Sequence, residues 1–479
     1  MNPAGDSGLK KELGLFDSTM IVAGSMIGSG IFIVSADIAR TVGGAGWLLV
    51  VWLITGAVTI VAALSYGELA AMLPRAGGQY VYLREAYGPL AGFLYGWTLF
   101  LVIQTGTIAA VAVAFAKFTG VLVPWFSEKH VLLEAGLLRV SAAQALAMAV
   151  IAGLTALNLR GLKLGKFIQN LFTVTKIVSL CGLSLLVFYA WSRGSAGTDN
   201  AAAAWQAFWT RPQSGSEALS GGRLWAALGV AMVGSLFSAT AWENITYTAG
   251  EVRRPERDVP LSLALGTLLV VVLYVSANLT YLAVLPMDAI RGAANDRVAT
   301  AALSALFGAP GGLVMAGLIM VSTFGCNNGL ILSGARVYYA MAKDGLFFER
   351  VGTLNRASVP GAALVLQGVW AGLLCLSGAY GDLLDYVIFA TLVFYILTVA
   401  GVFVLRRTRP DLPRPYRAWG YPWLPALYLA LSSAIALDLL VLKPAYTWPG
   451  VAIVLLGIPV YYLRRGRRMA AAEIPLDAK

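Results

Sequence analysis

The chain has 479 residues, 58% of them hydrophobic and 12% charged, with a mean hydropathy of +0.74. Ordinary soluble domains carry roughly 25% charged residues, so the composition excludes a water-soluble domain and requires a membrane protein. The net charge of +11 does not imply nucleic acid, because the basic residues fall into alternating clusters between hydrophobic runs.

Those runs, bounded by charged or turn residues, predict an all-α protein of about twelve spans, each at least near the length of about 20 residues that a bilayer needs. Their extents are 15–39, 45–73, 87–120, 140–157, 164–192, 222–250, 259–285, 310–342, 358–378, 380–406, 420–441 and 448–464. The first run is too long for a cleavable signal peptide and has no small-residue cleavage site after a short core.

The first span contains Gly24-Ser25-Met26-Ile27-Gly28-Ser29-Gly30-Ile31-Phe32. Glycines and serines weaken a helix at a depth where lipid offers no hydrogen-bond partner. Such a break is tolerated only where freed N–H and C=O groups meet protein, water or a ligand. In the third span, Gln104, Thr105 and Thr107 form a polar patch that either reaches a solute or hydrogen-bonds a neighbouring helix. His130, the only histidine, lies in a loop, which argues against a His-based metal or catalytic site. Lys176 sits in the middle of the fifth span. Roughly ten residues, or about 15 Å of rise, separate it from Lys166 near the cytoplasmic end, a long way to snorkel.

The sixth span repeats the logic of the first. Phe237-Ser238-Ala239-Thr240-Ala241-Trp242-Glu243-Asn244 interrupts an apolar helix, and charge follows at Glu251 and over Arg253 to Asp258. Two interrupted spans, five apart, point to an inverted-repeat transporter with its site at the bilayer midplane. Half-helix N-termini favour a carboxylate and exposed carbonyls an ammonium group; an amino acid carries both. The alternative is a pair of small-residue packing seams. Glu243 either takes part in a polar route, attracting a proton or a cationic side chain, or supports the helix start. Asn327 and Asn328 divide in the same way between solute and packing. Arg336 is read as an interface anchor, with an inner-gate ion pair as the alternative, and Glu68 as structural.

Cys181, Cys326 and Cys375 lie apart in apolar runs, without zinc spacing or a disulfide framework, and read as buried and inert. Trp47, Trp125 and Trp423 read as interface belts. With the N-terminus inside, about 23 Lys and Arg fall in cytoplasmic segments and about 10 in the opposite loops. Arg406, Arg407, Arg409, Arg414 and Arg417, with Arg464, Arg465, Arg467 and Arg468, dominate the first group. Both termini are therefore expected in the cytoplasm, with anionic lipid as the partner of these residues rather than nucleic acid.

Gly24 to Phe32, the loop Leu73-Pro74-Arg75-Ala76-Gly77-Gly78-Gln79-Tyr80-Val81-Tyr82, and Gly250-Glu251 through Pro255, Arg257 and Pro260 resemble the amino acid–polyamine–organocation permeases. Ser322-Thr323-Phe324-Gly325-Cys326-Asn327-Asn328-Gly329 and Arg336 make the chain most similar to the L-type amino-acid transporters. The resemblance implies a LeuT-like fold with two inverted five-span repeats and two peripheral helices. The corresponding segments are 1–14 (cytoplasmic), 15–192 (first repeat), 193–221 (outer loop), 222–406 (second repeat), 407–464 (peripheral spans) and 465–479 (cytoplasmic tail).

It also implies sodium-independent transport of amino acids, often by exchange. Carried over by motif, Ser25, Gly28, Ser29 and Gly30 bind the substrate carboxylate. Carbonyls near Ile27, Phe237, Ser238 and Thr240 take the ammonium, Phe237 gates the site, and Trp242 opens the second half-helix. Lys176 stands where sodium-coupled relatives bind sodium, touching carbonyls near Gly24 and Ser25 and the hydroxyls of Ser322 and Thr323. Thr240 and Ala241 replace glycine or aspartate and glycine of the family pattern and favour small or mid-sized neutral substrates. Proton symport, cationic substrates or polyamines, and a non-transporting sensor remain as alternatives. No catalytic set, Walker motif, cofactor or metal site is expected. Residues 120–140 lack the cysteine through which animal relatives join a heavy chain, so no disulfide-linked partner is expected. The resemblance thus suggests a bacterial inner-membrane protein acting as a monomer or weak homo-oligomer.

Overall fold

The computed structural model describes residues 8–135, 138–192, 208–210, 213–214, 217–218, 220–376, 380–442 and 444–472. Among them, nine helices are long and apolar enough to cross a membrane, and the pair Leu15–Met26 and Gly30–Val42, bent by 41°, makes a tenth. Gly221–Ser238 with the short helix Asn244–Tyr247 forms the broken sixth element, and Gly361–Leu374 the ninth. The all-α expectation holds: among the described residues, strand is confined to two short hairpins, of which Val131–Ala135 with Leu138–Ser141 lies between the third and fourth spans.

Local chemistry sets the boundaries. The second span, Ala45–Met72, stops before Leu73-Pro74, because a residue that precedes proline avoids the helical region. Ser141 and Gln144 close a reciprocal capping box at the start of the fourth span, Ala142–Leu159. The seventh, Pro255–Val284, opens on a proline whose missing N–H costs nothing there.

Several boundaries differ from those expected. Gln79–Tyr87 is a separate amphipathic helix set off by Gly78 and Gly88, both with positive φ, ahead of the third span Pro89–Leu122. The eighth helix runs over Val298–Lys343 and bends at Gly308, whose φ of +68° only glycine adopts cheaply. The twelfth, Pro444–Ala472, outruns its apolar stretch.

The fifth span, Leu162–Ser192, shows how the bundle is sorted. Phe167, Leu171, Val174, Val178 and Leu185 are all exposed on one face, whereas Gln169, Thr173, Lys176 and Leu180 are buried on the other. The helix therefore turns its polar stripe inward, as lipid surroundings demand. Packing joins the second half of span one to span six, span two to seven, three to eight and four to nine. Each of the first four spans thus lies against the one five places further along.

Candidate functional site

The first break begins where the helix ends at Met26. Ile27 N–H still reaches the Ala23 carbonyl at 3.0 Å, but Gly28 N–H folds back to Met26 at 2.9 Å. Carbonyls that a continuous helix would have used are thereby released, and the neighbouring spans take them up. Lys176 Nζ donates to the carbonyls of Gly24 and Ile27 at 2.7 Å each and to that of Ser322 at 3.3 Å. Ser322 Oγ donates to Ile27 at 3.1 Å and Gly28 at 3.2 Å, and the Cys326 thiol to the Ser25 carbonyl at 3.0 Å.

Two details of the expected lysine contacts are corrected. Lys176 meets the carbonyl rather than the hydroxyl of Ser322. Thr323 spends its hydroxyl on Ile319 and Met320 of its own helix. Cys326, expected to be inert, is a donor to the break.

Close approach explains the glycines. A Cβ on Gly30 would collide with the Ser238 side chain, and one on Gly24 with Thr173 and Gln169. Each glycine lets another span reach the broken backbone. Gly28 packs against Cys326 and Val111, so Thr107, one turn before Val111, shares the face of the third span turned to the break. Its hydroxyl donates to Ile103 at 2.6 Å. Gln104, for which a solute and a neighbouring helix were both open, donates to the Leu330 carbonyl at 2.8 Å and serves the seam between the third and eighth spans.

At the second break, Thr240 Oγ1 donates to the Phe237 carbonyl at 2.7 Å. Tyr274 of the seventh span shares its hydroxyl proton between the carbonyls of Met26 and Ser238, both at 2.9 Å. The Phe237 and Ser238 carbonyls, expected to await an ammonium group, are thus already accepting hydrogen bonds. Ala241 has a φ of +68°, where a side chain costs roughly 1–2 kcal/mol. Trp242 lies edge-on to Tyr66 at 4.6 Å and tilted on Tyr395 at 5.2 Å. Beside them, a cavity of about 20 Å³, lined by Ala239, Thr240, Trp242, Thr391, Tyr395 and Tyr428 among others, has room for about one water. An amino acid does not fit it.

Glu243, next in the chain, is enclosed by phenols. Tyr395 donates to its Oε2 at 2.5 Å and Tyr247 to its Oε1 at 3.3 Å; the Tyr247 and Tyr95 hydroxyls lie 2.6 Å apart.

On the side of the molecule that holds the two loops after spans two and six, Arg336 grips Glu251 with two bonds of 2.9 Å, both residues 1% exposed. This overturns the reading of Arg336 as an interface anchor: a guanidinium fork buried with a carboxylate is an ion pair between spans. The Glu251 carbonyl accepts the N–H groups of Glu12 and Leu13, and Arg253 N–H returns to Leu13 at 2.9 Å. The residues before the first span thereby lie strand-like against the end of the sixth. Glu68 is held by Arg406 at 2.8 and 2.7 Å.

Tyr274 and Asn244 escaped the sequence reading, and Asn327 and Asn328 were left open by it. Tyr274 was missed because one tyrosine in an apolar span carries no pattern. The Ser25 hydroxyl and both amide atoms of Asn327 and of Asn244 are buried without a hydrogen-bond partner. Asn328, by contrast, is bound to Asn158, Gln169 and the Gly165 carbonyl, which makes it a packing residue.

Among the described residues, twelve apolar elements, two of them broken and facing each other with their carbonyls and helix starts, define a membrane permease rather than an enzyme. The sequence matches the family model for amino acid permeases over residues 13–460, and the chain belongs to that family. It is 30% identical over 466 residues to the serine/threonine exchanger SteT of Bacillus subtilis, covering 97% of this chain and 99% of that protein. The large neutral amino acids transporter small subunit 2 of Homo sapiens is 30% identical over 464 residues, covering 96% of this chain and 81% of the relative. The human b(0,+)-type amino acid transporter 1 is 28% identical over 466 residues, 95% and 88% of the two chains.

Proposed function

We propose that this permease is a sodium-independent exchanger of neutral L-amino acids that works by alternating access between two inverted five-span repeats. The observation that carries the reading is the seat of Lys176: a fixed ammonium group bonded to the first-span break and to the eighth span. A cation supplied by the chain itself removes the need for a dissolved one at that point. The pairing of each of the first four spans with the one five places on supports the repeats over 15–192 and 222–406. The start of the second half-helix, at Ser29 and Gly30, offers backbone donors to a carboxylate.

Thr240 and Ala241 narrow the space at the second break and favour a small substrate, a preference in keeping with the serine/threonine exchanger among the relatives. The basic clusters support a reading in which both termini lie on the cytoplasmic side of a bacterial inner membrane and the chain acts without a disulfide-linked partner. Uptake of labelled neutral amino acids into sodium-free proteoliposomes, loaded or not with internal amino acid, tests the reading. Uptake that requires internal substrate supports it. Uptake that requires sodium, or no movement of any amino acid, overturns it.

A further inference from the structure

Arginines drawn between the spans of this molecule meet carboxylates: Arg336 has Glu251 at 2.9 Å, and Arg406 has Glu68 at 2.7 Å. A different arrangement lies on the opposite face, among the loops that follow spans three and seven. There a cavity of about 190 Å³ is lined by Lys117, Ser127, Glu128, Lys129, Asn295 and Arg297, among others. Among the described residues, no carboxylate oxygen lies within 4.0 Å of the basic groups of Lys117, Lys129 or Arg297. Set against Glu128 alone, these three leave the cavity wall with positive charge in excess.

Arg297 is half-buried. Its Nη2 donates to the Lys117 carbonyl at 3.2 Å, and its guanidinium lies 5.6 Å from the centre of the Phe118 ring. Its Nε, however, is buried without a hydrogen-bond partner. Lys117 feels the positive charge of Arg297 as a repulsion. The acids of the same loop are spent elsewhere. Asp296, the preceding residue, accepts from Arg40 at 2.8 Å, and Asp288 accepts from Arg291 at 2.8 Å. Asn295 and Asp296 have φ of +53° and +61°, a left-handed conformation that side chains resist. The turn they make sends Asp296 to the first span and Arg297 to the third.

We infer that this cavity is a binding site for a phosphate group. A guanidinium with an open N–H beside two ammonium groups is a donor set suited to phosphate, and half-buried like charges are costly until an anion joins them. One water needs about 10–15 Å³ of such space, so the cavity holds several waters, or a phosphate with part of its hydration shell. Two sources share this chemistry, the headgroup of a lipid and the free ion. Trp125, exposed, packs edge-on at 4.9 Å against Phe126 in the cavity wall. Leu132 and Leu133 are exposed on the hairpin that follows. Aromatic and apolar side chains so placed suit the membrane interface, which brings headgroups within reach; inorganic phosphate arrives from the water. Either one reinforces the contact of Arg297 with Lys117 and ties the end of the third span to the loop before the eighth. The site is separate from both breaks, and the inference does not depend on the transport reading.

The test uses the full chain, purified in detergent without phosphate, and two probes. The first is inorganic phosphate, compared with sodium chloride at equal ionic strength and read as a saturable rise in the midpoint of thermal unfolding. The second is phosphatidylglycerol, supplied in mixed vesicles with phosphatidylcholine; the lipid that stays bound after extraction is counted by native mass spectrometry. Stabilisation by inorganic phosphate alone assigns the site to the free ion, and retained phosphatidylglycerol assigns it to a headgroup; both support the inference. In either case Arg297→Gln should weaken binding by at least about tenfold, which one charge-assisted hydrogen bond is worth. Lys117→Gln should weaken it too, whereas Lys163→Gln, at a side chain 80% exposed outside the cavity, should not. No response to either probe, or equal binding by the wild type, Arg297→Gln and Lys117→Gln, overturns the inference. Lys117→Gln decides alone should Arg297→Gln fail to assemble. Counterflow of labelled amino acid in the same preparations tests the exchange reading separately, whichever way the phosphate result falls.

Discussion

Lys176 donates to the carbonyl of Ile27 across 2.7 Å, although 149 positions separate the two residues in the chain. The contact ties the middle of the fifth span to the point where the first span loses its helix. Lys176→Ala would leave the Gly24 and Ile27 carbonyls without this donor, at about 1–3 kcal/mol each. Counterflow in proteoliposomes should fall by about a hundredfold or more, and sodium should not restore it. Wild-type activity in the variant would refute the role given to the lysine.

Tyr274 joins both breaks through one hydroxyl. Tyr274→Phe keeps the ring, which packs edge-on to Trp52 at 5.3 Å, and removes only the shared proton. About 1–3 kcal/mol of stability should be lost, read as a lower midpoint of thermal unfolding in detergent. Counterflow should fall by about tenfold, because the two half-helix ends are no longer held together. An unchanged midpoint and rate would show that the shared hydrogen bond contributes nothing.

The Arg336–Glu251 pair offers a different kind of test. Removing one partner from a buried ion pair strands the other, at about 3–5 kcal/mol, whereas replacing both by apolar residues of similar volume is often neutral. Arg336→Met is therefore expected to destabilise the protein markedly, and Arg336→Met with Glu251→Leu to recover most of the loss in a thermal melt. Transport in the double variant reports whether the pair has a role beyond stability, since it also sits where the residues before span one meet the end of span six.

Thr240 lines the small cavity beside Trp242 and hydrogen-bonds the Phe237 carbonyl. Thr240→Gly should widen the site, so that larger neutral amino acids compete better for uptake by about tenfold, the range that a few methylenes are worth in a pocket. An inhibition series over neutral amino acids of increasing size checks this. No change in the ranking would remove Thr240 from the specificity determinants.

The readable part of this protein was local. The spans could be drawn because lipid demands long apolar runs. The two breaks stood out because Gly24 to Gly30 and Ser238 to Ala241 violate that demand over a few consecutive residues. Lys176 and Glu243 drew attention as single charges inside apolar stretches, where burial is costly. Some boundaries escaped for the same reason. The amphipathic helix Gln79–Tyr87 lies on neither side of the apolar and polar contrast that marks a span.

What the tertiary structure alone decided was the partner of each polar group. Nothing in the order of residues says that Arg336 meets Glu251 while Glu243 meets tyrosines, that Gln104 turns to Leu330, or that Tyr274 reaches Met26 from 248 positions away. Composition and periodicity report what one helix needs from its surroundings. Hydrogen bonds between spans depend on which faces the packing brings together, and that is settled only when all the helices have met.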